Sequence, residues 1–293
     1  MDNPEALQLT CASVKQQSRL PRQHIVMDSS TLEYKNLMRT IAEEFSAEYR
    51  WVEPSGTYGA MAEGLSELSG DDFVIFLNAS DWFAGKRTLE LTATAINDAH
   101  KRGEPFSWGL GKTAVQDKGY TYLLKHANTS EKLWKALSRG TIGVPHPSMV
   151  CRVSDIKELG TFRKPWSVSL DYELALGLGK VRGGPAVLRF PVSYYDQRGG
   201  SATAPWATLA SKFRVRHAVM GWSSAIWAAN SLLWSALRFL LRNSPSSTLR
   251  ETVFEKCGWH RFEMEPNEHF CGVVDDRLFP GCCERALEQS PNQ

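Results

Sequence analysis

Three short apolar runs near the start of the chain have the length and composition of buried strands. They cover residues 24–27, 49–52 and 73–77. Polar or turn-forming residues follow each run, with Asp28 after the first and Asp81 after the third. Short apolar runs that are bounded in this way predict strands buried on both faces.

Helical patterns separate these strands. Apolar residues recur at intervals of three and four positions over 38–45 and 61–68, and a further helix is predicted at 87–101. The resulting β-α-β-α-β order implies a parallel sheet with helices on its faces. Ligands of such sheets bind beyond the carboxyl ends of the strands, so we expect Asp28 and Asp81 at one shared site. The plainer alternative for either residue is a turn or a helix cap.

The second half of the chain has a different pattern. Residues 104–150 are rich in glycine and proline, and we expect mostly loops there. Helices are predicted at 153–159 and 170–178, and the second of these carries Asp171 and Glu173. A strand is predicted at 186–195, interrupted by Pro191.

Composition narrows the class of protein. With 42% hydrophobic and 23% charged residues in 293 positions, the chain has enough apolar material for a buried core. The formal net charge of +2, without a basic block, gives no reason to expect nucleic acid as a partner. No secretory signal opens the sequence, so the cytoplasm is the expected compartment.

Six segments along this pattern carry distinctive residues in a fixed order. They are Asp-Ser-Ser at 28–30, Glu-Pro-Ser-Gly-Thr-Tyr-Gly-Ala-Met at 53–61, Phe-Leu-Asn-Ala-Ser-Asp at 76–81, Pro-His-Pro-Ser at 145–148, Leu-Asp-Tyr-Glu-Leu at 170–174 and Gly-Gly-Ser at 199–201. As an ordered set they resemble the motifs of the family-2 glycosyltransferases, which have the GT-A fold. The resemblance implies an α/β fold with a nucleotide-sugar-binding sheet flanked by helices and a C-terminal helical extension. It also implies transfer with inversion at the anomeric carbon.

The resemblance assigns the first half of the chain to the nucleotide-sugar donor. The residues expected to bind the donor are Asp28, Ser30, Glu53, Tyr58 and Ser80. Asp81 is expected to hold Mg²⁺ or Mn²⁺, because such an ion is usually bound by one or two carboxylates together with substrate phosphates. A divalent cation would neutralise the negative charge that develops on the leaving diphosphate.

The acceptor, a glycan or a lipid-linked sugar by resemblance, must lose a proton as its hydroxyl attacks. Asp171 is the first candidate for the catalytic base, and Glu173 is the second. The alternative for Asp171 is an acidic residue that is favoured at a helix N-terminus by the helix dipole. His146 resembles the family's acceptor-side histidine, and a plain loop residue between two prolines is the alternative.

Several positions depart from the family pattern. Family chains have an apolar strand before the segment matched by 6–17, where only five residues precede it here, so another segment or an upstream strand must fill that place. Asn78 and Ser80 stand where carboxylates are common, which leaves Asp81 as the only acid of the metal motif. Glu63 replaces a lysine and is expected to weaken diphosphate binding.

These departures keep alternatives to an active transferase open. The main one is a catalytically impaired glycosyltransferase-like protein with a binding or scaffolding role. A nucleotidyltransferase would share the sheet and the metal, but the glycine-rich first loop with a basic residue that it usually has is missing.

We expect three regions: the GT-A-like domain at 1–205, an amphipathic helical segment at 206–243 and a tail at 244–293. The stretch 218–237 has no charged residue and is flanked by basic ones, so it favours docking on the inner face of a membrane or packing within the protein over a membrane span. The tail holds potential zinc ligands, although an ordinary and partly disordered tail fits better: Cys257, His260, His269, Cys271, Cys282 and Cys283.

Overall fold

The computed structural model describes residues 2–117, 120–124, 127–160, 169–195, 205–221 and 259–262. The helices are α1 (Pro4–Lys15), α2 (Leu32–Glu44), α3 (Thr57–Ser66), α4 (Thr88–Lys101), α5 (Ser130–Ser138), α6 (Val153–Leu159), α7 (Leu170–Arg182) and α8 (Pro205–Met220), with a 3₁₀ turn at His146–Ser148. The strands are β1 (Ile25–Asp28), β2 (Glu48–Trp51), β3 (Phe73–Val74), β4 (Trp82–Phe83), β5 (Trp108–Asp117), β6 (Tyr120–Leu124), β7 (Met149–Arg152), β8 (Ala186–Tyr195) and β9 (Trp259–Phe262).

The strands form two sheets. β1 and β2 pair in parallel as a two-stranded sheet. In the larger sheet β3, β7, β5, β6 and β9 are neighbours in that order, and β8 pairs with β5 in parallel and with β4 antiparallel. The chain thus has a mixed α/β fold with a curled sheet flanked by helices, as the sequence predicts.

Both faces of the larger sheet are covered. On one face, α5, α6 and α7 pack against β5 and β7 around fully buried leucines such as Leu133 and Leu176. On the other face, α4 packs on β8, and Val150 of β7 points to this side while its neighbour Cys151 points to the first. Truncating one of these buried leucines to alanine costs about 2–5 kcal/mol.

Most predicted elements are confirmed, and their ends shift by a few residues. The helix at 153–159 and the strand at 186–195 match α6 and β8, and the helix predicted at 170–178 continues to Arg182. The prediction of mostly loops at 104–150 was wrong, because β5, β6, α5 and β7 lie there. Glycines in β5 serve close packing rather than turns: a Cβ on Gly111 would lie 2.2 Å from Cγ2 of Val192.

The prediction of one parallel sheet from the first three runs was also wrong. β3 ends at Val74 and pairs antiparallel with β7, so β1 and β3 belong to different sheets.

Several predictions concern residues outside the described ranges. They include the Gly-Gly-Ser segment at 199–201, most of the 206–243 segment and nearly all of the tail, with every predicted zinc ligand except His260. Among the described helices, none has the length and apolar character needed to cross a membrane.

Candidate active site at the carboxyl ends of the strands

A cleft of about 2260 Å³ opens where β1 and the run 73–77 end. Its lining includes six of the residues that the sequence predicts for the site: Asp28, Tyr58, Ser80, Asp81, His146 and Asp171. These residues come from both halves of the sequence. The cleft therefore joins the expected donor residues to the expected acceptor residues.

Asp28 is a buried carboxylate that its surroundings hold firmly. Its Oδ1 accepts the backbone N–H of Ser30 at 2.9 Å, and its Oδ2 accepts the hydroxyls of Ser30 and Tyr49, each at 2.7 Å. Burial, and then the hydrogen bond to Asp28, raise the pKa of Tyr49, so this phenol remains a donor. Trp51 extends the arrangement by donating its indole N–H to the carbonyl of Ser30 at 3.0 Å.

Asp81 lies in a loop that is anchored to α1. The hydroxyl of Thr10 donates to the carbonyl oxygen of Asp81 at 2.8 Å and accepts the N–H of Ser80 at 3.1 Å. The carboxylate of Asp81 is buried and accepts the N–H of Asn78 at 3.3 Å, which is a long contact.

The backbone of Ser80, in the same loop, has a strained conformation. Its φ of 83° lies in the left-handed region, where a residue with a Cβ is disfavoured. The hydroxyl of Ser80 donates to the carbonyl of Ala79 rather than into the cleft. Such strain costs about 1–3 kcal/mol and is held in place by the surrounding contacts, here those of Thr10.

Asp171 lies in the first turn of α7, on the opposite side of the cleft. Its Oδ1 accepts the N–H of Tyr172 at 2.7 Å, and its Oδ2 lies 3.8 Å from Nδ1 of His146. The side chain of Asp171 is 23% exposed and that of His146 is 12% exposed. Nε2 of His146 is buried and has no hydrogen-bond partner among the described residues, so it is available to a ligand in the cleft.

Tyr58 connects α3 to the start of α7. Burial, and then the negative charge of Asp171, raise the pKa of Tyr58, while backbone hydrogen bonds from Asp171 and Leu170 oppose the shift. The phenol therefore stays neutral and helps fix the backbone that carries Asp171.

Three predicted residues do not line the cleft. Ser30 donates its hydroxyl to Asp28, Glu53 is exposed, and Glu173, a residue of the first turn of α7, is buried. Glu63, which was expected to disturb the diphosphate, is also exposed and outside the lining.

Sequence reasoning missed other residues of the site. Lys212 of α8, Tyr195 of β8 and Ser169 line the cleft, and Ser169 is buried with a hydroxyl that lacks a partner within the described ranges. Only Ser169 had a local signal, because serine often precedes a helix. Lys212 reaches the cleft through tertiary packing of α8, which no local pattern reveals.

Comparison with known proteins gives a structural likeness without a sequence match. No protein-family model matches the chain, and neither does any curated protein sequence. The fold is similar to the crystal structure of S. aureus TarS 1–349, with a TM-score of 0.56 and 12% sequence identity over 87% of this chain and 77% of that one. TarS is a wall teichoic acid glycosyltransferase with a GT-A-like fold. The likeness confirms the predicted glycosyltransferase fold.

Proposed function

We propose that the chain is an inverting glycosyltransferase that moves a sugar from a nucleotide-sugar donor to a glycan or lipid-linked acceptor. One observation supports this most strongly. Asp28, Asp81 and Asp171 line a single cleft at the carboxyl ends of the strands, in a fold similar to that of a glycosyltransferase. Three acids with different surroundings in one cleft suit three different tasks.

On the donor side, Asp28 would accept a hydrogen bond from the nucleotide base. Its orientation is already fixed by Ser30 and Tyr49, so donor binding would need little reorganisation. Lys212 adds a positive charge to the lining, which suits a diphosphate.

Asp81 fits a divalent cation of the Mg²⁺ or Mn²⁺ kind. Its buried carboxylate lines the cleft beside Asn78, whose amide oxygen is also a hard ligand. When bound, the cation would stabilise the charge on the leaving diphosphate. With one protein carboxylate, we expect cation and donor to bind together.

On the acceptor side, Asp171 would take the proton of the attacking hydroxyl. The hydroxyl oxygen forms a bond to the anomeric carbon, and the bond from that carbon to the diphosphate oxygen breaks with its electron pair. One displacement inverts the carbon. His146 and Ser169, whose Nε2 and Oγ are buried at the cleft, would orient the acceptor.

The test is release of nucleoside diphosphate from a panel of nucleotide sugars, with Mn²⁺, with Mg²⁺ and with EDTA. We expect cation-dependent turnover of at least one donor. Absence of both turnover and thermal stabilisation across the panel would overturn the proposal. Stabilisation without turnover would favour the impaired, binding-only protein, for which the single acid of the metal loop is the supporting observation.

A further inference from the structure

Three hydroxyl side chains meet in the core behind the turn that carries His146. Thr113 of β5 donates its hydroxyl to Oγ of Ser148 at 2.7 Å, and Oγ of Ser193 of β8 lies 2.7 Å from the same atom. All three residues are fully buried, and none of them lines the cleft. We call Thr113, Ser148 and Ser193 the hydroxyl hub.

Ser148 is the centre of the hydroxyl hub, because the hydrogen bonds of the other two hydroxyls end on its oxygen. Its own hydroxyl donates to the carbonyl of Lys112 at 3.3 Å, so Ser193 is the donor in the contact between the two serines. The hydroxyl of Ser148 therefore accepts two hydrogen bonds and donates one, which is its full capacity. Removal of this oxygen would take the acceptor from two buried donors, those of Thr113 and Ser193.

An irregularity of the larger sheet brings the two strand hydroxyls together. Lys112 lies opposite Pro191, and the register of β5 against β8 shifts on both sides of Lys112. Directly after the second shift, Thr113 and Ser193 pair across the two strands, so their side chains lie on the same face. Bulges of this kind occur next to active sites and re-aim side chains, here towards Ser148.

The hydroxyl hub fastens a short turn to the sheet. The N–H of Ser148 donates to the carbonyl of Pro145 at 3.0 Å, and the next residue, Met149, begins β7 and pairs with Leu110 of β5. His146 is the first residue of the 3₁₀ turn that ends at Ser148. The place of the His146 imidazole at the cleft therefore depends on hydrogen bonds made two residues further along the chain.

A small displacement of this turn would change the acceptor side of the cleft. Nδ1 of His146 lies 3.8 Å from Oδ2 of Asp171, just beyond the range of a hydrogen bond. A shift of about 1 Å decides whether the two side chains bond to each other, and misplacement of that size can lower a catalytic rate about 100-fold.

We propose that Ser148 is a positioning residue, and that the hydroxyl hub sets the distance between His146 and Asp171. The hub acts through the turn and does not touch the reacting atoms. Apolar side chains of the same shape would pack about equally well, so packing alone does not account for three buried hydroxyls. The inference rests on the proposed function for the effect on turnover, whereas the link from the hub to His146 rests on hydrogen bonds alone.

Two substitutions of Thr113 form a matched pair. Thr113→Val keeps the branched shape and removes the donor to Ser148, whereas Thr113→Ser keeps the donor and removes a methyl group. We expect Thr113→Val, and not Thr113→Ser, to move the NMR signal of the His146 Hε1 proton in the protein without ligand. With a nucleotide sugar and Mn²⁺, Thr113→Val should lower kcat for nucleoside diphosphate release about 10-fold and leave the donor KM within about twofold.

A double substitution tests whether the hydroxyl hub acts through His146. Ser148→Ala alone should lower kcat about 100-fold, and it should cause no further loss in the His146→Ala protein. Thermal unfolding shows that each variant is folded. Should Ser148→Ala fail to fold, Thr113→Val takes its place in the same cycle.

Each result supports or overturns the proposal. A His146 signal that moves only in Thr113→Val, together with losses that do not add, supports it. Equal effects of Thr113→Val and Thr113→Ser, an unmoved His146 signal, or additive losses would each overturn it. If no nucleotide sugar is turned over, the proposed function fails, and the NMR comparison by itself decides whether the hub holds His146.

Discussion

The two sides of the cleft hold their carboxylates in different ways. Asp28, on the donor side, accepts three hydrogen bonds of 2.7–2.9 Å and is buried. Asp171, on the acceptor side, accepts one hydrogen bond from its neighbour's amide, lies 3.8 Å from His146 and stays 23% exposed. A carboxylate that three donors hold in place and that keeps one further lone pair suits recognition of a ligand donor, whereas one with most of its lone pairs open suits proton transfer.

Under the proposed function, this difference assigns donor binding and proton transfer to opposite sides of the cleft. On the donor side, the hydrogen-bond network around Asp28 lies within one β-α-β unit, because its residues come from 28–30 and 49–51. The acceptor side depends on α7, α3 and the turn at 146–148 meeting in space. Changes to Asp171 should therefore affect turnover, and changes to Asp28 should affect binding and stability.

The largest expected effect is that of Asp171→Asn. Loss of the base should lower kcat by roughly 100- to 10,000-fold, because the amide cannot take the acceptor proton. Donor affinity, measured by calorimetry, should stay within about threefold since Asp28 and Asp81 are untouched. Glu173→Gln, on the same helical turn but outside the cleft, separates the two candidate bases: a larger loss there would reverse the assignment.

Low pH should lower the unfolding free energy of the protein, because His24, just before β1, must then bind a proton. Burial lowers the pKa of His24 to about 4 from an ordinary value of 6.5. The folded state therefore binds fewer protons than the unfolded state between these values, and stability is complete above pH 6.5 and falls as pH drops toward 4. The loss is at most about 3 kcal/mol.

The check is urea unfolding of the protein and of His24→Gln at several pH values. The difference in unfolding free energy between the two proteins should shrink as pH falls from 6.5 to 4. A difference that stays constant with pH would contradict burial of the neutral imidazole.

Asp28→Asn should affect binding and stability more than turnover. The amide cannot accept from both hydroxyls and the Ser30 N–H without presenting a donor to one of them, at a cost of about 1–3 kcal/mol. Calorimetry should show weaker donor binding, and kcat at saturating donor should change little. The exposed Glu33→Gln is the matched control. A lower kcat with unchanged donor affinity would contradict the proposal that Asp28 serves donor binding rather than turnover.

The smallest expected effect is that of Ser80→Gly. Glycine accepts a φ of 83° without steric cost, so relief of strain should raise the unfolding free energy by about 1 kcal/mol. Thermal unfolding measures this, with Ser29→Gly as a control. Destabilisation would mean that the hydroxyl of Ser80 contributes more than its strain costs.

Sequence patterns predicted those residues of the site that lie at the ends of strands or at the start of a helix. Strand ends at Asp28 and near Asp81, and the helix start at Asp171, follow from apolar runs and turn residues. Tyr49 was within reach of the same reasoning, because on the next parallel strand it shares a face with Trp51, the residue that pairs with Asp28.

Contacts between segments that are distant in sequence determine the other parts of the site. Thr10 holds the Asp81 loop from α1, and Lys212 enters the cleft from α8. Gly109 and Gly111 predict a loop by sequence, yet in β5 they leave room for the side chains of neighbouring residues. No sequence pattern shows that β1 and β3 are held apart, since each run by itself has the composition of a central strand.

We propose that sugar transfer in this cleft depends on a divalent cation held by Asp81. The most direct measurement is the initial rate of nucleoside diphosphate release by the protein and by Asp81→Asn, each with Mn²⁺ and with EDTA. We expect EDTA or the substitution to lower the rate at least about 100-fold, and the two together to have no further effect. An equal rate in EDTA, or full activity of folded Asp81→Asn with Mn²⁺, would contradict the claim.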